Sequence, residues 1–400
     1  MFSSVRARRL ADGARRGHPT PRCIRHDRIL TDTPGLRSLF KRLARNAPTR
    51  SAMATRLLYA LHPRPLTVLY GELENHAAAQ HVVLVGTPGS LLERHNAGGF
   101  RFYARQFYDA EGRKREAYVA GPIGDEQADV RAEALRQQID QVKEVLADVR
   151  LLGREGFQIA DARTYATLAA LHNHGLFRAG ALVIGSHAFG ILLNQLGVKA
   201  AAYATEDVDV ARAHPLALAE PLEHGLLEML RTTGLNFVEV PALDVRQPST
   251  SWKTAGRGRF HVDLLVPASD DAYGTIAVPE LRAHATALPF LRYLLEESLT
   301  APVLAREGCC TVRVPNAERF ALHKLLVSQL RSGRSAKSTR DLEQAAILLA
   351  ALAEHHAGAI EAARAALPAG GRRYLVAALA QLRPMLEPAH PRAWAELTDS

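Results

Sequence analysis

Period-two alternation and period-3.6 stripes divide the chain into regions of different character. Residues 66–80 suit a short helix. In the stretch 89–122, G-F-R-F-Y-A-R-Q-F-Y-D and R-K-R-E-A-Y-V-A-G alternate around a D-A-E-G-R turn at Gly112, which predicts a β-hairpin. The residues before Gly98 extend it to a three-stranded meander. Val130, Leu135, Ile139, Val142 and Leu146 then fall near helical spacing, so 125–150 reads as a charged amphipathic connector. A second helix, 161–173, leads to Gly175. Short apolar runs follow: strands are expected at 181–186, 207–211, 236–241, 258–267 and 309–316. Helices are expected at 187–197 and at 221–233, the latter with Pro221 in its first turn and Gly234 at its end. From Ala317 onward the pattern is helical throughout, with segments 317–331, 338–355, 359–367 and 372–383 and a short tail. The expected class is α/β (or α+β), with a mixed sheet, a C-terminal helical domain and a small N-terminal β-hairpin module.

The strand D-V-D-V-A breaks the apolar rule. Asp207 and Asp209 share one face of an extended strand, about 6–7 Å apart, while Val208 and Val210 pack on the other. Two carboxylates on one face repel, and a divalent cation removes that cost. An isolated D-x-D also suits a half-exposed edge strand with solvated acids. Its neighbours narrow the choice. V-I-G-S places Gly185 and Ser186 at a strand-to-helix turn, where free backbone N–H groups and the helix dipole favour phosphate. F-H-V-D-L-L-V-P later sets a single acid, Asp263, in an apolar strand. Asp207, Asp209 and Asp263 together are hard oxygen ligands suited to Mg²⁺ or Mn²⁺.

The stretches V-I-G-S-H-A-F-G, T-E-D-V-D-V-A, F-H-V-D-L-L-V-P and F-A-L-H-K-L-L-V-S-Q-L-R…K-S-T-R-D-L-E-Q-A resemble the DNA polymerase β-like nucleotidyltransferase superfamily. The likeness covers roughly residues 66–370. It extends to a bacterial family of nucleotidyltransferase-fold proteins and, more distantly, to the nucleotidyltransferase toxins of abortive-infection systems. The resemblance implies a nucleotidyltransferase fold and transfer of NMP from an NTP to a hydroxyl, with Mg²⁺ or Mn²⁺ as cofactor and release of pyrophosphate. It makes Gly185 and Ser186 the phosphate-binding turn, and Asp207 and Asp209 the shared metal ligands. Asp263 becomes the third carboxylate, placed to help activate the incoming hydroxyl. The Ser186-to-Asp207 interval is longer than in compact members, which an inserted loop, L-G-V-K-A-A-A-Y-A-T, explains.

The helical half supplies cations: Lys324, and R-S-G-R-S-A-K-S-T-R-D with Arg331, Arg334, Lys337 and Arg340. In the toxins a lysine and an Arg/Lys-Asp pair at matching positions serve nucleotide binding, so the resemblance selects Lys324, Lys337 and Arg340. A solvated basic loop is the other reading. His261 would share the face of Asp263, as a metal ligand or, in the favoured reading, as a hydrogen-bond partner for the carboxylate. Lys253, Arg257 and Arg259 either hold substrate phosphate or solvate a loop. On the hairpin, Arg101, Tyr103 and Arg105 interleave basic and aromatic side chains, as nucleic-acid-binding sheets do, and suggest an RNA or tRNA acceptor. A small sheet using its aromatics as core gives the same pattern.

Charge and cysteines refine the picture. The net charge is +9, but residues 1–64 hold fifteen Lys/Arg against three acids, a net of +12, so the remainder is −3. That segment reads as a disordered basic extension outside the fold. It could touch nucleic acid, act as an Arg-rich targeting sequence, or precede a true start at Met53. Cys23, Cys309 and Cys310 offer neither a disulfide framework nor metal spacing, which points to a reducing, cytoplasmic setting. No apolar run is long enough for a membrane span. The expected organisation is the extension 1–64, a helix-plus-hairpin module 65–124, a helical connector 125–175, a catalytic domain 176–316 and a helical domain 317–400. Other readings of the same fold are a catalytically inactive binding or regulatory module and a toxin component. A further one is a nucleic-acid-binding protein whose acids are structural.

Overall fold

The computed structural model describes residues 57–201, 205–218, 225–242, 244, 246–269, 273–331 and 336–398. Expectations for the extension up to residue 56, for Cys23 and Met53, for a helix start at Pro221 and for Arg334 lie outside these residues.

A two-residue strand β1 (Ala60–Leu61) precedes helix α1 (Arg64–Ala79), which carries Pro65 in its first turn, where a missing N–H costs no helical bond. Strands β2 (Ser90–His95), β3 (Arg101–Tyr108) and β4 (Lys114–Ala120) form an antiparallel meander in that order. Helix α2 (Glu126–Arg154) is capped by Asp125, whose side chain accepts from the Ala128 N–H. Helix α3 (Ala162–Asn173) is capped in the same way by Asp161, which accepts from Arg163 and Thr164.

Strand β5 (Leu182–Ile184) runs directly into helix α4 (Gly185–Gln195), so Gly185 and Ser186 open the helix instead of ending the strand. The inserted segment after α4 includes β6 (Val198–Lys199), which pairs with β1. Next come β7 (Asp207–Ala211), helix α5 (Gly225–Arg231), β8 (Phe237–Glu239), β9 (Ser251–Thr254) and β10 (His261–Pro267). Strands β11 (Gly274–Val278) and β12 (Ala283–Leu288) and the short helix α6 (Leu291–Leu295) follow. The hairpin β13 (Ser298–Ala305) and β14 (Gly308–Pro315) then leads into the helical end. That end comprises α7 (Ala317–Leu330), α8 (Ala336–His355), α9 (Ala359–Ala365), α10 (Ala369–Leu386) and α11 (Pro391–Thr398).

The main sheet is mixed, with path β11-β12-β10-β7-β5. Strand β10 is parallel to β7 and β12, whereas β5 is antiparallel to β7. The other side of β10 is shared: β9 pairs antiparallel with residues 261–263, and β12 pairs with 265–267. Val208, Val210, Val262 and Leu264 are buried, while Asp207, Asp209, His261 and Asp263 between them are half-buried. One face of the sheet is therefore core and the other carries the polar groups. Helices α7 and α8 pack through Leu322, Leu325, Leu326, Ala345, Leu348 and Leu349, all buried in the same core.

The meander departs from the expectation for its arginines. Arg105 is buried; its guanidinium donates to the carbonyls of Pro88 (3.1 Å), Val85 (3.2 Å) and Thr87 and lies 4.3 Å from the Phe107 ring. Burial lowers its pKa to about 10. Arg105 is thus a structural clasp with no face toward a nucleic acid, and its assignment as a contact residue is corrected on that ground. Tyr103 donates from its hydroxyl to Asp129 of α2 at 2.9 Å, tying the sheet to that helix. Arg101 stays exposed but pairs with Glu93 at 2.9 Å.

Replacing Arg105 with Leu strands three carbonyl oxygens, each worth about 1–3 kcal/mol when unsatisfied. Arg105→Leu should shift the urea midpoint down by the equivalent of about 2–3 kcal/mol, whereas Arg101→Ala should leave it nearly unchanged. Equal shifts would remove the clasp role.

Candidate functional site

The acidic face is built by strand register. Asp209 of β7 lies directly opposite Asp263 of β10, and Asp207 lies opposite His261. Adjacent strands stand about 4.8 Å apart, so neighbouring carboxyl groups share one small area. On the far side of β7, Ile184 pairs with Asp209, which brings the start of α4 to the same spot. Gly185 there has φ +68, and a Cβ at that position would collide with Oδ2 of Asp209. Only glycine lets the turn close on the carboxylate. Ile184 provides no side-chain cap for the first N–H groups of α4.

His261 sits among the acids. Its Nδ1 is 2.8 Å from the Arg259 carbonyl and 3.2 Å from Oδ1 of Asp207, and its Nε2 is 3.5 Å from Oδ2 of Asp263. Burial alone would lower the imidazole pKa, but the Arg259 carbonyl and the three aspartates outweigh it and hold it above the usual value. Ser251, opposite Asp263 on β9, donates from its hydroxyl to Oδ1 of Asp263. Asp209 carries the cost of the crowding. Burial and then Asp263 push its carboxyl up to about 7, against the pull of Lys324.

Lys324 reaches this face from α7. Its Nζ donates to Asp341 of α8 at 2.8 Å, and Arg331 binds the other oxygen of Asp341, also at 2.8 Å. The Asp341 side chain is only 4% exposed and that of Lys324 12%. The expected Arg340-Asp341 pair therefore contributes through Asp341, which anchors the lysine. Lys337 is exposed at the start of α8, and Arg340, one turn further along, is half-buried. Next to Lys324, burial and then the lysine charge drive the His323 imidazole down to about 3.

Ser186 lines a cavity of about 330 Å³ beside the acidic face, together with His187, Asp161, Thr205 and the β13 residues Pro302–Leu304. His187 has a buried Nε2 without a hydrogen-bond partner, and burial lowers its pKa. The structure thus gathers Gly185, Asp207, Asp209, Asp263 and Lys324, with Ser186 at the edge. Sequence reasoning misses Ser251 and passes over Arg331. Ser251 lies in a four-residue strand without a run of alternation, and only β-pairing brings it to Asp263.

The donor set suits a hard divalent cation in kind: three carboxylates on one face, one of them pushed up to about 7 by burial and then by Asp263, beside a glycine that leaves room for nothing larger. Among the described residues no three such groups converge as a ready metal cage. His261 stands between two of these acids, 3.2 Å from Asp207 and 3.5 Å from Asp263.

A pH signature follows from Asp209. Its folded pKa of about 7 lies above the value near 3.9 of a free carboxyl, so between these values the folded state binds the extra proton. Stability therefore falls as pH rises from about 4 to 7. In EDTA, Asp209→Asn should melt above wild type at pH 8 and converge with it toward pH 4. Addition of Mn²⁺ at pH 8 should raise the wild-type melting temperature by a few degrees and leave the variant where it is. Identical pH profiles in EDTA would refute the raised pKa.

Among the described residues no helix is long and apolar enough to cross a membrane. No curated protein matches the chain. A family model described as Nucleotidyltransferase matches residues 162–368, from the first turn of α3 through α9 and so across every element of the acidic face. On that match, more than half of its length, the chain belongs to this nucleotidyltransferase family.

Proposed function

We propose that the chain transfers an NMP from an NTP to a hydroxyl acceptor, with Mg²⁺ or Mn²⁺ held by Asp207, Asp209 and Asp263 and with release of pyrophosphate. The observation that carries this reading is the register of Asp209 beside Asp263, with Asp207 on the same face and the Gly185 turn against Asp209. Family membership supports nucleotidyl transfer and an NTP substrate; the acceptor, the metal and the product are our reading of the site. The acceptor we favour is an RNA 3′ end, with tRNA among the candidates.

A divalent cation bound there supplies the positive charge that triphosphate oxygens require, and polarises the α-phosphoryl group. The residues of the chain supply position. The uncapped N–H groups of α4, with the Ser186 hydroxyl, hold phosphate oxygens at the positive end of the helix dipole. Lys324, fixed by Asp341, brings a cation to the triphosphate from the helical side. Asp263, oriented by Ser251, faces the acceptor and takes its hydroxyl proton. The acceptor oxygen then bonds to the α-phosphorus as the bond to the pyrophosphate oxygen breaks. For this chemistry His261 gives up its contacts with Asp207 at 3.2 Å and Asp263 at 3.5 Å.

The test is incubation with each labelled NTP, Mg²⁺ or Mn²⁺ and total RNA. Wild type should incorporate label, and Asp209→Ala should fall to background while keeping its fold by circular dichroism. Absence of transfer with every NTP and acceptor would return the chain to the inactive binding reading.

A further inference from the structure

The arginines of the β2–β4 meander are committed. Arg94 pairs with Glu116, Arg101 with Glu93, Arg113 and Arg115 with Asp109, and Arg105 with carbonyls. Burial would raise the Asp109 carboxyl, but Arg115, the backbone and Arg113 outweigh it and lower it to about 2. A different set of cations is uncommitted. Among the described residues, Arg163, Lys253, Arg257 and Arg259 have no acidic partner.

These four lie together. Lys253 of β9 stands directly opposite His261, as Ser251 stands opposite Asp263. Directly opposed residues of an antiparallel pair share a face, so Lys253 is on the carboxylate face, and Trp252 between them is buried on the other. The hairpin joining β9 to β10 is closed by the Thr254 N–H bonding to the Phe260 carbonyl at 3.1 Å. Its loop, A-G-R-G-R, carries Arg257 and Arg259, both exposed. Arg163, in the first turn of α3, approaches that loop: its Nη1 lies 3.8 Å from where a Cβ on Gly258 would stand.

We propose that Lys253, Arg257 and Arg259, with Arg163 across the loop, form a rim that grips the phosphodiester backbone of a single-stranded RNA acceptor and delivers its end to the carboxylate face. The proposal rests on the reading of that face as the site of transfer. Charge complementarity selects the occupant. Cations spread over a hairpin and a helix start match a repeating polyanion, while a triphosphate is a compact charge already met by Lys324 and the α4 N-terminus. The two glycines of the loop leave its backbone open to a strand of phosphates; Gly256 has φ +103 and nothing within contact distance of a would-be Cβ.

Fluorescence anisotropy of a short labelled single-stranded RNA, titrated across KCl concentrations with the full-length protein, reads the rim directly. Every phosphate that the protein ceases to neutralise lowers the slope of log K against log salt by about 0.7, so Lys253→Gln/Arg257→Gln/Arg259→Gln should lower it by about 2. Comparison at full length cancels the basic N-terminal segment, which is common to both proteins. The meander variant Arg94→Gln/Arg101→Gln should keep the wild-type slope. ATP affinity by equilibrium dialysis and melting temperature should be unchanged in the triple variant. An unchanged slope overturns the proposal, as does an equal loss of ATP binding, which would give the rim to the triphosphate. Displacement of RNA by polyglutamate at matched charge also overturns it, in favour of an acidic polypeptide. Wild type that binds RNA through the rim yet transfers no NMP overturns the proposed activity and leaves the rim intact. Transfer by wild type with no change of slope in the triple variant overturns the rim alone.

Discussion

The parallel pairing of β7 with β10 is the constraint on which the site depends. Its register sets Val208 beside Val262 in the core and, by the period-two rule, Asp209 beside Asp263 on the opposite face. A slip of one residue would bury the acids and expose the valines, so the hydrophobic core and the carboxylate cluster enforce each other. The same register fixes the two sides of the cluster. Ile184 pairs with Asp209 and carries the Gly185 turn to it, while Ser251 pairs with Asp263 and fills one of its oxygens. The repulsion built into this arrangement is visible in Asp209, whose carboxyl is pushed up to about 7 by burial and by its neighbour Asp263.

Relief of that repulsion comes from outside the sheet. Lys324 is held by a nearly inaccessible carboxylate, Asp341, and Asp341 is held in turn by Arg331. Removing either basic partner would leave a buried charge short of compensation, which is costly in a low-dielectric setting. The docking of α8 against α7 therefore determines where a positive charge stands relative to the sheet. The helical end thus serves electrostatics as well as packing. His261 provides a second, smaller relief on the sheet itself, lying 3.2 Å from Asp207 and 3.5 Å from Asp263.

Much of this is legible in the sequence because it is local. The Gly-Ser turn, D-V-D and V-D-L are read directly from alternation and turn chemistry, and α7 through α10 from helical stripes. The strands that escape such a reading lack the signal. Strand β9 is four residues, S-W-K-T, and β13 contains Pro302, which reads against a strand and stands opposite Thr311 of β14. Partners made by pairing across the sheet, such as Ser251 with Asp263, cannot be read from spacing. Arg105 misleads for a related reason: a basic residue between aromatics gives the same pattern whether it grips phosphate or buried carbonyls. Only the course of residues 85–88 beneath β3 distinguishes the two.

Net charge is a poor guide to where this molecule meets a polyanion. The positive balance of the whole chain, +9, comes from residues 1–64, and the remainder is −3. A folded body with an overall negative balance and a cluster of carboxylates repels phosphate at long range, and at physiological salt that repulsion is screened within about 8 Å. What then matters is which cations within that distance of the carboxylates are free to exchange water for phosphate. An arginine already bound to a carboxylate gives up that bond to take a phosphate, and its gain is the small difference between the two. A solvated arginine releases only water and counterions. By this measure the arginine-rich meander is the weaker partner for a nucleic acid and the short A-G-R-G-R loop the stronger, although composition alone would rank them in the opposite order.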